Sequence, residues 1–339
     1  MQVLITGGAG FIGCNLAAHF TRAGHAVTVF DNFSRRGSES NLAWLREQFG
    51  QGVRVVRGDV RDAAAIAQAV QGQNAILHLA AQVAVTTSVT NPREDFEINA
   101  LGTFNTLEAA RASGLNPAFV YTSTNKVYGG METERVRDTG SRYEFEDLPG
   151  GVPETYPLDF HSPYGCSKGT GDQYVRDYHR IYGLPTVVFR QSCIYGLRQF
   201  GVEDQGWLAY FTIRAVTQRS FNIYGDGKQV RDVLFIDDLV RAFEMALGRL
   251  ERTAGQVYNI DNDPTSQLSV WRETGPILEK LAGRPIPVSY GDWRPGDQRI
   301  YVSDISKAKA HFGWEPQVAP AEGLKRLWQW VTDHRALFE

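Results

Sequence analysis

The 339-residue chain is poor in cysteine and in methionine, with three of each. Cys14, Cys166 and Cys193 are odd in number and far apart, which excludes a disulfide framework, and no His, Cys or Asp grouping has metal-ligand spacing. The cysteines read as reduced, small core residues, and the compartment they fit is the cytoplasm. No apolar run approaches the roughly 18 residues of a membrane span. The opening MQVLITGG reads as a buried strand and not as a charged leader. Neither sign of charge is in excess, since 35 Lys and Arg against 38 Asp and Glu leave a net charge of −3. The basic field that draws nucleic acid or an anionic membrane is therefore missing. Internal repeats and low-complexity tracts are missing too. What remains is ordinary globular composition, 42% hydrophobic and 22% charged. The length exceeds the roughly 250–300 residues at which single cores stop growing, so a large domain with a smaller lobe is expected.

In the first half, apolar runs alternate with helix-length segments. Strands are expected at Val3–Ile5, Val27–Phe30, Val53–Val56, Ala75–Leu79, Ala118–Thr122 and Thr186–Phe189, with helices at Phe11–Arg22 and near Glu39–Gln48. Continuous apolar strands joined by helical crossovers predict an α/β fold, a doubly wound parallel sheet covered on both faces. Beyond Arg190 the elements shorten. Helices are expected near Gly206–Gln218, Asp237–Gly248, Ser269–Ala282 and Ala321–Asp333, with a strand at Phe221–Tyr224. Val233–Ile236 and Val257–Ile260 are expected to return to the large sheet. The division is then 1–190 with about 233–262 for a dinucleotide-binding domain, and 191–232 with 263–339 for a mixed α/β substrate lobe. Residues 129–162 lack periodicity and read either as a substrate-facing flap or as a solvated insertion.

Gly7-Gly8-Ala9-Gly10-Phe11-Ile12-Gly13 follows the first strand and opens the first helix. Gly7 and Gly10 permit a tight turn against a pyrophosphate, and Gly13 lets the helix approach the sheet. The helix N-terminus at Phe11 and Ile12 then offers free N–H groups to phosphate. Asp31, some 20 residues on, is placed to accept an adenosine ribose, which favours NAD over NADP. Asn32 follows it, and Ser34 and Arg35 could instead take a 2′-phosphate. Asp59 and Val60 end the third strand and would flank adenine, while the small Leu79-Ala80-Ala81 leaves room for a cofactor.

Tyr164 and Lys168 form Y-x-x-x-K at the start of an expected helix, on one face. A tyrosine is a poor base at its usual value of about 10, and a nearby ammonium favours the phenolate. Thr122-Ser123-Thr124 supplies hydroxyls at the carboxyl end of a strand, where α/β crevices lie. His161, three residues before Tyr164, either lines the pocket or caps the helix. His78, inside an apolar strand, reads as a satisfied core residue.

The glycine loop, Thr122-Ser-Thr-Asn-Lys-Val-Tyr-Gly129 and Tyr164/Lys168 resemble the extended short-chain dehydrogenase/reductase family of nucleotide-sugar enzymes. The likeness runs over nearly the whole chain, with counterparts at Asn99-Ala-Leu-Gly-Thr, Arg231-Asp-Val and Asp297-Gln-Arg299. DNFSRRGSESNLAWL, DFHSPYGCSKG, RQFGVEDQGW and GDGKQVRDVL are similar to its CDP-paratose (CDP-tyvelose) 2-epimerase branch. The resemblance implies a Rossmann-type fold and tightly bound NAD, with Asn99 at the cofactor. Thr124 would hydrogen-bond the reacting hydroxyl, Tyr164 would act as base and acid, and Lys168 would hold the nicotinamide ribose. Arg231 and Arg299 would bind the substrate diphosphate, and Asn125, His161, Gln191, Ser192, Cys193 and Gln205 would face a CDP-hexose. It also implies a homo-oligomer, dimer or tetramer. Two departures matter. Asn125-Lys126 stands where dehydrating and decarboxylating relatives carry an acid, which disfavours both activities. Cys193 replaces the usual Asn of R-x-x-N-x-Y-G. The expected reaction is inversion of C2 of a nucleotide sugar through a transient 2-keto sugar, CDP-paratose giving CDP-tyvelose. A UDP-sugar 4-epimerase is the alternative within the class, and a non-catalytic NAD-sensing scaffold the alternative outside it.

Overall fold

The computed structural model describes residues 1–294 and 297–339. Its main sheet has seven strands, all pairing in parallel: β1 (Gln2–Thr6), β2 (Ala26–Asp31), β3 (Val53–Arg57), β4 (Ala75–His78), β5 (Ala118–Thr124), β6 (Thr186–Gln191) and β7 (Gln256–Asn259). Their order is β7-β6-β5-β4-β1-β2-β3. The direction of winding reverses between β1 and β4, and a crevice opens there at the carboxyl ends of the strands. The strands are apolar on both faces because both faces are covered. Val3 and Ile5 point into one core with Leu16, Phe20 and Phe189, and Leu4 points into the other with Ile66, Leu107 and Phe119.

Helix α1 (Phe11–Arg22) leaves the glycine loop, and α2 (Ser38–Phe49) and α3 (Ala63–Val70) complete the first crossovers. Helices α4 (Gly102–Ala112) and α5 (Ser162–Tyr182) cover the other half. Pro163 in the first turn of α5 loses no helical hydrogen bond, and Gly183, at φ 67°, ends the helix in the left-handed conformation. The face of α5 that carries Tyr164 and Lys168 continues one turn later to Asp172. There Asp172 takes the Arg190 guanidinium of β6 through both oxygens, at 2.9 and 3.0 Å, and the Ser123 hydroxyl of β5 at 2.8 Å. Arg190 and Asp172 are fully buried.

Most expected elements are present within a residue or two, and the return of β7 to the sheet follows the pattern. Three differ. Val233–Phe235 does not rejoin the main sheet; it pairs in parallel with Cys193–Tyr195. The edge beside β6 is already occupied by β7, and the chain leaves the sheet after Gln191, so the two short strands pair with each other. The helix expected from Ser269 begins at Thr274, because Leu268–Ser269 is claimed by backbone pairing to Val230–Arg231. Residues 129–162 contain a hairpin, Val136–Asp138 with Tyr143–Phe145, and Phe145 and Val152 pack with Tyr128, Val230 and Tyr301. None of residues 129–162 lines the cleft, so the stretch is not a substrate-facing flap; its hairpin is largely exposed, as the solvated alternative expects, and Phe145 and Val152 anchor it.

Removing one partner of the Arg190–Asp172 pair leaves a buried charge without compensation. Asp172→Ala should lower unfolding stability by about 3–5 kcal/mol, measured by urea denaturation. A loss under about 1 kcal/mol would remove the pair as the anchor of α5.

Candidate active site

A cleft of about 420 Å³ runs along the β1/β4 divide at the carboxyl edge of the sheet. Its floor is the glycine loop. Gly7 has φ 67°, and a side chain there would lie 2.8 Å from the Ala80 nitrogen, so the turn after β1 closes against the end of β4 only with glycine. A side chain at Gly13 would overlap the Gly7 carbonyl. The first N–H groups of α1 have no intrahelical partner and point into the cleft. Asp31 ends β2 beside them. One of its oxygens accepts from Ala9 N at 2.9 Å and the other from Phe33 N at 2.7 Å. Burial pushes its carboxyl up, and the two backbone bonds oppose that. Each oxygen keeps acceptor capacity for a ribose hydroxyl.

Asn32, Ser34, Asp59, Val60, Leu79, Ala80 and Ala81 line the same end, with Gly10, Phe11 and Ile12. Asp59 is held well down, to about 2, mainly by hydrogen bonds from Arg61 and also from Asn32. Arg35 extends across the mouth and donates to Gln205 Oε1 at 3.2 Å. It is thus turned toward the substrate end and away from a 2′-phosphate position. Asn99 does not reach the cleft. It lies on a π-helical turn at Glu97–Leu101, accepts from Gln82 N at 2.9 Å and donates to Ser167 Oγ at 3.0 Å. Asn99 therefore braces the wall behind the cofactor end.

Thr124 ends β5, and Tyr164 and Lys168 face it from α5. The Thr124 hydroxyl and the Tyr164 phenol lie on the same stretch of cleft wall, close enough for Thr124 to favour the phenolate. Burial pushes the Tyr164 phenol up to about 12, with Thr124 opposing. The expected lowering by Lys168 is not found in the protein alone. Lys168 is itself pushed down to about 7 by burial, with Asp95 and Asp172 opposing, and it lies 4.3 Å over the Tyr121 ring. Burial thus favours the neutral form of both groups, raising the phenol and lowering the ammonium.

The far end is lined by Asn125, Lys126, Gln191, Ser192, Cys193 and Gln205. Burial pushes the Cys193 thiol up, so it is no thiolate nucleophile. Arg231, His161 and Arg299 stand outside the walls. Arg231 pairs with Asp297 at 2.5 Å, yet its charge acts on both Lys126 and Cys193. His161 is exposed at the start of α5 and makes no capping bond. The exposed Arg299 guanidinium rests 5.7 Å from the Tyr143 ring. Sequence reasoning missed Lys126, Trp207 and Asn41 as lining residues. Asn41 donates to the carbonyls of Ala9 and Arg198, a link between distant segments that no local pattern announces.

The family model described as GDP-mannose 4,6 dehydratase matches residues 4–327. The chain belongs to that family. The CDP-paratose 2-epimerase of Salmonella typhi is 42% identical over 339 residues, spanning 98% of this chain and 99% of that protein. Among solved structures, the dTDP-glucose 4,6-dehydratase of Streptomyces venezuelae with NAD bound has a TM-score of 0.85 at 31% identity, covering 100% of this chain and 99% of that one. The UDP-glucuronic acid 4-epimerase of Bacillus cereus, in complex with UDP-glucuronic acid and NAD, has a TM-score of 0.84 at 26% identity, covering 98% and 99%. Epimerases and dehydratases share this fold, so the residues of the site must decide between them. The glycine cradle and the paired acceptors of Asp31 fit NAD, which both of these solved structures contain.

The protein should purify with NAD bound. Denaturation and chromatography of the released nucleotide will read this, and NADP as the main species would overturn the assignment of Asp31 and Arg35.

Proposed function

We propose that the protein is an NAD-dependent epimerase that inverts C2 of a nucleotide sugar, converting CDP-paratose to CDP-tyvelose. The observation that carries this reading is the stretch after the catalytic hydroxyl. Thr124 is intact and shares the cleft wall with Tyr164, while the next two lining positions are an asparagine and a lysine. A carboxyl group that could take a proton from carbon and expel water is missing from those positions. Elimination therefore lacks its acid and base, and reversible oxidation of a hydroxyl remains.

Each residue then has a defined task. Tyr164 takes the proton of the reacting hydroxyl and returns it, and Thr124 holds that oxygen by hydrogen bonding. Lys168 holds the nicotinamide ribose and supplies positive charge near the phenol. NAD, when bound, supplies the reversible two-electron acceptor, and the cycle needs no outside reductant. The cleft keeps water from the keto sugar while the ring turns over. The name of the Salmonella typhi relative supports the base, the sugar and the carbon.

The same reading assigns 1–190, with the β7 region, to cofactor binding and the short-stranded remainder to the substrate. It places the protein in the cytoplasm, in keeping with three free cysteines. No helix among the described residues is long and apolar enough to cross a membrane. It also makes the protein a homo-oligomer. Phe96, Leu101 and Phe104 beside Tyr174, Ile181 and Tyr182 leave an exposed apolar face along α4 and α5.

Proton NMR of the NAD-loaded protein with CDP-paratose should show conversion to CDP-tyvelose, and Tyr164→Phe should lower turnover at least about 10²-fold. Turnover of UDP-glucose with none of CDP-paratose would contradict the reading.

A further inference from the structure

Lys126 has no task in the chemistry above, yet the residue lines the cleft. The turn that carries it, Asn125–Tyr128, starts directly at Thr124, and the Thr124 hydroxyl accepts from Lys126 N at 3.3 Å. The ammonium is therefore within one lysine side chain of the catalytic oxygen. It does not turn back toward Tyr164. Its Nζ donates to Gln298 Oε1 at 3.0 Å, and the charges that act on it are those of Arg231 and Asp297. Gln298 is buried and fixed at its other end, where Nε2 donates to the Gly129 carbonyl at 2.6 Å. It holds the ammonium on the small-lobe side.

Among the described residues, Lys126 has no carboxylate partner of its own. Asp297 is taken by Arg231 at 2.5 Å. Two cations thus share one carboxylate, Lys126 on the cleft wall and Arg231 with Asp297 behind it, and one positive charge is left over. Two N–H groups of Lys126 remain for a ligand. An anion placed between Lys126 and Arg231 would relieve their mutual repulsion and complete both sets of hydrogen bonds.

In a nucleotide sugar that anion is the phosphate joined to C1. C2 is directly beside C1, whereas C4 lies across the ring. With the Lys126 backbone 3.3 Å from the Thr124 hydroxyl and its ammonium one side chain away, the span suits a reacting carbon beside C1 better than one across the ring. We propose that Lys126, positioned by Gln298 and paired with Arg231, binds the sugar-linked phosphate and thereby sets C2 of the sugar, not C4, against Thr124 and Tyr164. This rests on the epimerase reading and adds to it the residue that selects the carbon.

The increment in affinity from a second phosphate isolates this contact. Calorimetry of the NAD-loaded protein with CDP and with CMP gives a ratio of dissociation constants, and UDP with UMP serves as a pair in which the base differs. The unaltered protein at pH 7 should prefer the diphosphate at least about tenfold. Lys126→Met should remove about tenfold of that preference and leave monophosphate affinity unchanged, while Lys126→Arg should keep most of it. Burial, with Arg231 second, pushes the Lys126 ammonium down to about 8, with Asp297 and Cys193 as the other groups acting on it. The preference of the unaltered protein should accordingly decline from pH 7 to pH 9, and that of Lys126→Arg should not. This comparison decides the matter even if Lys126→Met fails to fold, which melting and NAD content will show. An unchanged ratio in Lys126→Met, the same pH dependence in both proteins, or no diphosphate preference in the unaltered protein would overturn the proposal. CDP-paratose turnover is read separately. Turnover with an unchanged ratio rejects the phosphate site alone, and a collapsed ratio without turnover rejects the epimerase reading alone.

Discussion

The buried ion pair between Arg190 and Asp172 ties together the three elements on which the cleft depends. Asp172 is one turn beyond Lys168 on the same face of α5, Arg190 is the penultimate residue of β6, and Ser123, also bound to Asp172, precedes Thr124 on β5. One carboxylate thus fixes the rotation of the helix that carries Tyr164 and Lys168 relative to the strand that carries Thr124. Taking both charges out of water is costly, and the cost is offset only by the bidentate geometry and the additional hydrogen bonds. In return, the strand that carries the hydroxyl and the helix that carries the phenol are held at a register that surface loops could not hold.

The electrostatics of the site follow from the same burial. Enclosure drives Tyr164 up to about 12 and Lys168 down to about 7, in each case toward the uncharged form. The chain alone therefore does not prepare a phenolate. It prepares a dry pair whose charge state responds strongly to any cation or anion that enters, since screening by water is weak there. The empty positions for carboxylates after Thr124 act in the same direction, because a charge at Asn125 would disturb both groups. Specificity for reaction type is thus achieved as much by what is omitted near the catalytic hydroxyl as by what is present.

Much of this was legible from local pattern. The run Val3-Leu4-Ile5, the glycine turn and Asp31 fall where the pattern places them, in the first strand, after it and at the end of the second, because apolar continuity and glycine spacing are local consequences of a covered parallel sheet. Tyr164 and Lys168 are legible through helical periodicity, although the same periodicity continues to Asp172, which was overlooked. The failures concern contacts between distant segments. Val233–Phe235 has the composition of a core strand but finds its partner at Cys193–Tyr195, since β7 holds the main-sheet edge. Arg231 meets Asp297 across 66 residues of chain. Lys126 gains its role from Gln298, 172 residues away. Asn99 was assigned to the cofactor by family likeness, whereas its amide is consumed in bracing Gln82 and Ser167.

The central claim is that a hydroxyl is oxidised and restored within one closed site, with no base acting on the carbon itself. Reaction of CDP-paratose in D₂O tests it directly. Proton and deuterium NMR of the CDP-tyvelose formed should show that the inverted carbon retains its original hydrogen. Stoichiometric deuterium at that carbon would contradict the account and, with it, the roles given to Thr124 and Tyr164.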